Sequence, residues 1–124
     1  MTPLLAVALG GALGALARYG LNGLCFALVG ARFPAGTLVA NLFGCAAMGA
    51  LYVLVIERGA LPPPTRELLM VGFLGSFTTF SAFSLDALAL WQNGGLAPAL
   101  GYVAASVLGG LLSLAAAVHL ARLL

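Results

Sequence analysis

Gly72-Phe73-Leu74-Gly75-Ser76-Phe77-Thr78-Thr79-Phe80-Ser81-Ala82-Phe83-Ser84 is the stretch on which the fold of this chain turns. It lies inside an apolar segment from about Leu68 to Trp91, and a helix needs roughly 20 such residues to cross a hydrocarbon core. The midpoint of that segment falls between Thr79 and Phe80, which places a cluster of Gly, Ser and Thr near the bilayer midplane. Two readings stay open. The helix breaks there, which at that depth is tolerated only where the backbone is buried in protein or lines a cavity, and the freed carbonyls hold a small cation. Alternatively the helix is intact and its hydroxyls bond back to their own carbonyls. The phenylalanines at 73, 77, 80 and 83 carry spacings of four, three and three, which put them on one face of a continuous helix. Such a stripe in a membrane helix usually packs against its neighbours; alternatively, because aromatic rings have a positive edge, ring edges beside hydroxyl donors form a weakly attractive site for an anion that does not trap it.

Working outward, the rest of the chain is built for the same solvent. Of 124 residues, 63% are hydrophobic and 6% charged, with five Arg, three acids and no Lys, and the mean hydropathy is +1.16. A soluble domain carries about 25% charged residues. The composition excludes a soluble globular enzyme, a disordered tail and a nucleic-acid binder acting through a basic surface. Four spans are predicted, over residues 4–21, 35–56, 68–91 and 98–122, as one transmembrane domain covering 1–124. Pro62-Pro63-Pro64 separates the second from the third, because consecutive prolines cannot sit inside a helix. Asn93-Gly94-Gly95 marks a turn, and Pro98 suits the first turn of the last span. The stretch from Asn22 to Pro34 is apolar enough for the first helix to continue to Val29. Ala15-Leu16-Ala17 resembles a signal-peptide cleavage site, but Met1-Thr2-Pro3 carries no basic side chain and the segment reads as a span. Cys25 and Cys45 lack CxxC spacing and read as small buried hydrophobes.

The charges bear on orientation. With four spans, Arg58, Arg66 and Arg122 fall on one side and Arg18 and Arg32 on the other. Three against two is almost no excess for the positive-inside rule. Either a weak preference set by other details decides the orientation, or the chain inserts both ways; a chain that inserts both ways can build an antiparallel dimer, which supplies the inverted repeat that many transporters encode in one chain. Small residues at four-residue spacing, Gly10 and Gly14, then Gly36, Ala40 and Gly44, then Gly101, Ala105, Gly109, Ser113 and Ala117, allow helix backbones to approach closely in lipid.

Polar groups within spans mark function by default. Thr37 and Asn41 share a helical face, and Asn41 offers both a donor and an acceptor, either for function or as hydrogen-bonding glue to a neighbouring helix. Tyr102 and Ser106 are four apart and form a short hydroxyl track. Asp86 is placed at a pore mouth or interface, Trp91 at the membrane surface, Arg18 snorkelling to the surface from the end of the first span, and His119 in an interfacial last turn. Mid-span positions contain no Lys, Arg, Asp or Glu, which a proton-coupled transporter needs. No nucleophile–base pair or metal-ligand cluster appears, so the chain is not read as an enzyme.

Three runs together resemble the CrcB/Fluc family of small fluoride channels. They are Gly10-Gly11-Ala12-Leu13-Gly14-Ala15-Leu16-Ala17-Arg18-Tyr19, Gly36-Thr37-Leu38-Val39-Ala40-Asn41-Leu42-Phe43-Gly44, and the stretch from Gly72 to Phe83. The resemblance implies an all-α integral membrane four-helix bundle whose third helix is broken near the midplane, assembled as an antiparallel dual-topology homodimer in the cell inner membrane. It implies passive fluoride export that relieves fluoride toxicity, with no nucleic-acid partner. It further implies that Asn41 donates to fluoride and that Phe80 and Phe83 present ring edges to it. Thr79 and Ser81 belong to the polar lining, and Tyr102 and Ser106 continue the track. The carbonyls of Gly75 and Thr78, from both subunits, hold a structural Na+. One position departs from the pattern: where a further hydroxyl is expected one turn beyond Ser106, this chain has Gly110. Fluoride is strongly hydrated, and hydroxyl and amide donors replace its water without the fixed positive charge that would hold it too tightly. The competing readings are a proton-coupled exporter of the small multidrug type, whose embedded acid in the first span is missing here, and a purely structural subunit.

Overall fold

The computed structural model describes residues 1–124. Helix α1 spans Pro3–Val29. Thr2 caps it by accepting from the Leu5 N–H at 3.3 Å, and Pro3 occupies the first turn, where its missing N–H costs nothing. The helix runs past Leu21 and stops at Gly30, whose φ of 77° suits glycine and whose N–H returns to Phe26 O. Helix α2 spans Ala35–Glu57, and its last stretch, Tyr52–Glu57, is wound as a π-helix. Gly59 at φ 58° and the three prolines then lead into α3, residues 66–77. Most of α3, Arg66–Leu74, is also π-helical, and Gly75–Phe77 completes it. Thr78 (φ −84°, ψ 157°) and Thr79 (φ −154°, ψ 124°) are extended. Helix α4 then spans Phe80–Gly94 and α5 spans Leu96–Leu123. The turn read at Asn93-Gly94-Gly95 narrows to Gly95 alone, at φ 91°.

The stretches 3–29, 35–57, 66–94 and 96–123 are each long and apolar enough to cross a membrane. The fold is all-helical. Two pairs of helices make its main contacts, α1 with α3 and α2 with α5. The first pair meets backbone to backbone. A Cβ at Gly10 would run into the Leu68 carbonyl, one at Gly14 into the Phe73 carbonyl, and one at Gly72 would lie 2.7 Å from the Val7 carbonyl oxygen. In the second pair a Cβ at Gly49 would lie 2.5 Å from the Leu114 oxygen, and Gly109 seats Leu42. In lipid, where apolar surface alone drives no association, such close approach supplies the dispersion contact that holds helices together. The small-residue stripe expected on the last span is used only in part, since a side chain at Gly101 would meet nothing.

The charged ends are tied down. Arg58 donates to the Ala121 and Arg122 carbonyls at 2.9 and 3.2 Å, closing the C-terminal end of α5. Arg122 in turn donates to both carboxylate oxygens of Glu57. Arg18 differs from the sequence expectation. Because α1 continues to Val29, Arg18 lies inside the helix rather than at its end, and its Nε donates to Ser76 O at 3.0 Å.

Candidate functional site

The site is built where α2 passes the extended pair between α3 and α4. Gly44 gives the room: a Cβ there would collide with the Thr78 methyl group. One turn earlier on α2, Asn41 clamps Thr79 in both directions. Its Oδ1 accepts from the Thr79 N–H at 2.8 Å and its Nδ2 donates to the Thr79 carbonyl at 3.0 Å. These two bonds satisfy backbone groups that a continuous helix would have paired internally. An amide nitrogen carries two hydrogens, so Asn41 keeps one N–H beyond the one spent on Thr79.

The same diversion frees carbonyls. The Thr79 N–H goes to Asn41, and the Ala82 N–H goes to Thr79 Oγ1 at 3.2 Å. In an unbroken helix those two N–H groups would reach the carbonyls of Gly75 and Thr78. Ser76 O already receives Arg18. The carbonyls of Gly75 and Thr78 thus lose their helical donors, and such oxygens are hard, neutral acceptors, the chemistry that suits an alkali or alkaline-earth cation. Hydroxyl back-bonding, the alternative reading of this stretch, is present as well: Thr78 Oγ1 donates to Leu74 O at 2.8 Å, and Ser84 Oγ to Phe80 O at 2.9 Å. Thr79 Oγ1 and Ser81 Oγ stand 3.4 Å apart.

The four phenylalanines do not form one stripe. The extended residues turn the chain between Phe77 and Phe80, so Phe73 and Phe77 stack with ring centroids 5.7 Å apart on α3, while Phe80 and Phe83 pair at 5.6 Å on α4. The two members of the second pair have opposite surroundings. Phe83 is buried, with its centroid 5.4 Å from Tyr102, whereas Phe80 is 79% exposed.

Tyr102, on α5, is 1% exposed and carries the next part of the site. Its hydroxyl donates to Asp86 Oδ2 at 3.3 Å. The Phe33 ring meets its ring edge to face at 5.7 Å. Thr37, 7% exposed, flanks the same hydroxyl. Ser106 Oγ, one turn further along α5, is buried and makes no hydrogen bond. A cavity of about 700 Å3 opens at this end of the bundle, lined by Asn22, Arg32, Thr37, Asp86 and Asn93 among others. Its rim carries polar side chains and two opposite charges, Arg32 and Asp86.

Of the residues named from the sequence, the structure thus brings together Asn41, Thr78, Thr79 and Ser81 in one cluster, and Phe83 with Tyr102 in a second. Ser106 lies one turn beyond Tyr102, and Phe80 is turned outward. Two contributors were not assigned a place in the site. Arg18 fixes Ser76, for which an in-span cation was the available signal. Phe33 covers Tyr102 from the α1–α2 loop, where no periodicity marks a contact.

The chain from residue 5 to 118 matches the family model described as CrcB-like protein, Camphor Resistance (CrcB). It is 53% identical over 114 residues to the fluoride-specific ion channel FluC of Paracoccus denitrificans, covering 92% of this chain and 87% of that one. It is 50% identical over 103 residues to the protein of that name from Saccharophagus degradans, covering 83% and 77%. With the one from Pseudomonas fluorescens it shares 45% over 124 residues, 99% and 100% of the two chains. With its four membrane-crossing helices and its match over nearly the whole length, the chain belongs to the CrcB family of multi-pass membrane proteins.

Proposed function

We propose that this protein is a fluoride-selective channel that lets fluoride leave the cell passively. The observation that carries the reading is the Asn41 clamp: it leaves one amide N–H unspent beside Thr79 and Ser81. A dehydrated fluoride ion needs donors in place of water, and neutral donors let it go again. In this reading Asn41 donates to the ion and Thr79 and Ser81 line its path. Phe80 and Phe83 turn positive ring edges toward it, and Tyr102 and Ser106 extend the polar track toward the mouth cavity. The names of the relatives support the same substrate.

The working unit in this reading is an antiparallel homodimer in the inner membrane. Phe80, Ser81 and Ser84 are exposed on the protomer although they stand in the middle of the third span. The two hydroxyls bond within the protomer, and a second copy would cover this partly polar face. The extended pair Thr78-Thr79 would then interrupt the span at the bilayer midplane. The free carbonyls of Gly75 and Thr78, doubled by the second subunit, form an all-oxygen set that fits a structural Na+ at the dimer centre. When bound, that ion would supply fixed positive charge near the crossing helices; this chain's own contribution is to hold the two carbonyls open, that of Gly75 through Asn41 and that of Thr78 through Thr79 Oγ1.

The deciding measurement is efflux from liposomes containing the purified chain alone, read with a fluoride electrode and repeated with chloride. Fluoride should pass and chloride hardly at all; equal permeation of both anions would sink the proposal. Phe83→Ile should slow fluoride efflux by about tenfold, the rate equivalent of one lost contact of roughly 1.4 kcal/mol. Unchanged efflux would remove the ring-edge role.

A further inference from the structure

We propose that Cys45 supplies a donor to the fluoride path, as the third rung of a polar ladder between α2 and α5. The inference rests on the fluoride-channel reading above. Three observations carry it. On α2, Thr37, Asn41 and Cys45 recur at four-residue steps and so share a face. On α5, Tyr102, Ser106 and Gly110 recur in the same way, and these two helices form one of the main packed pairs. At the third level the α5 member has no side chain, and the thiol occupies its room: a Cβ at Gly110 would stand 3.3 Å from Cys45 Sγ.

What points to an ion, rather than to packing, is the state of the neighbouring rungs. Thr37 is more than nine-tenths buried, borders the cavity and flanks the Tyr102 hydroxyl. Ser106 Oγ, one turn from Gly110 on the same face, is buried and unpartnered. Buried hydroxyls without partners are costly and uncommon. This one stands one turn from the level of Cys45, which is half-buried and not bonded to another sulfur. A thiol is a weak S–H donor. It continues the line where α5 contributes only backbone, and it gives this chain a chemically reactive group on its conduction route.

The test uses the full chain in proteoliposomes with Cys25→Ala as background, so that Cys45 is the single thiol, and every rate is compared with that background. Cys45→Ser should keep fluoride efflux within about twofold, whereas Cys45→Val, of similar volume but without a donor, should lower it by about tenfold, the scale of one lost hydrogen bond. Cys45→Ala combined with Gly110→Ser places a hydroxyl in the same room from the other helix and should recover efflux relative to Cys45→Ala alone.

Silver ion in chloride-free buffer gives a second readout that needs no folding of a damaging variant. The sulfur bonds Ag+ as its proton leaves to solvent. Efflux should be blocked in the background protein, protected by high fluoride, and unaffected in Cys45→Ser. Equal efflux in the Ser and Val variants would overturn the proposal, as would silver insensitivity of the background or a block that persists in Cys45→Ser. Failure of the background protein to pass fluoride at all would instead refute the channel reading, so the two failures are distinguishable.

Discussion

Asn41→Leu is expected to reduce fluoride efflux to the background of empty liposomes. The substitution keeps the volume of the side chain but removes both of its bonds to Thr79, whose N–H and carbonyl are then unpaired in the protein interior. Each unpaired group costs about 1–3 kcal/mol, so the extended conformation of Thr78 and Thr79 loses roughly 2–6 kcal/mol of support and the path loses its amide donor as well. Asn41→Asp separates these effects. The carboxylate still accepts from the Thr79 N–H but donates nothing and repels the Thr79 carbonyl and any anion. A milder loss of thermal stability is expected in Asp than in Leu, with efflux absent in both. Conduction by either variant at near the original rate would remove Asn41 from the path.

Gly14→Val is expected to prevent the bundle from assembling. At this position α1 touches the backbone of α3, and the first added atom would land on the Phe73 carbonyl. Ordinary overpacking costs about 1–3 kcal/mol because side chains shift to absorb it. Here the obstacle is main chain, so the helices must separate and give up the contacts from Gly10 through Gly72 together. Size-exclusion chromatography in detergent should show little or no monodisperse protein. Gly20→Ala, on the same helix but with nothing near its Cβ within the protomer, should elute normally, aided by the better helix propensity of alanine. A well-behaved Gly14→Val protein would mean that the α1–α3 contact is not what holds this half of the bundle.

Much of the architecture was legible in the sequence because its signals are local. Apolar length gives the spans, the proline run gives the break between the second and third, and Gly10 and Gly14 mark a face for close approach. The ends were harder to read. α1 extends eight residues beyond Leu21 because Asn22 to Val29 is as compatible with helix as what precedes it, and the stop at Gly30 depends on one positive φ. The phenylalanine spacing was misleading for the opposite reason. A period is evidence of a face only while the helix continues, and two extended residues rotate the second pair away from the first.

The sequence by itself determined the solvent, the number of spans, the all-helical class and the inventory of neutral polar groups, because hydropathy and residue chemistry are properties of a segment regardless of its neighbours. Only the tertiary structure decided where those groups point. Arg18 turns to Ser76, Asn41 spends half of its amide chemistry, one N–H and one lone pair, on one residue's backbone, and Cys45 fills the space beside Gly110. Each of these joins residues at least 38 positions apart. Such pairings follow from which helix faces cross and how closely the glycines let them approach, and no local pattern records that.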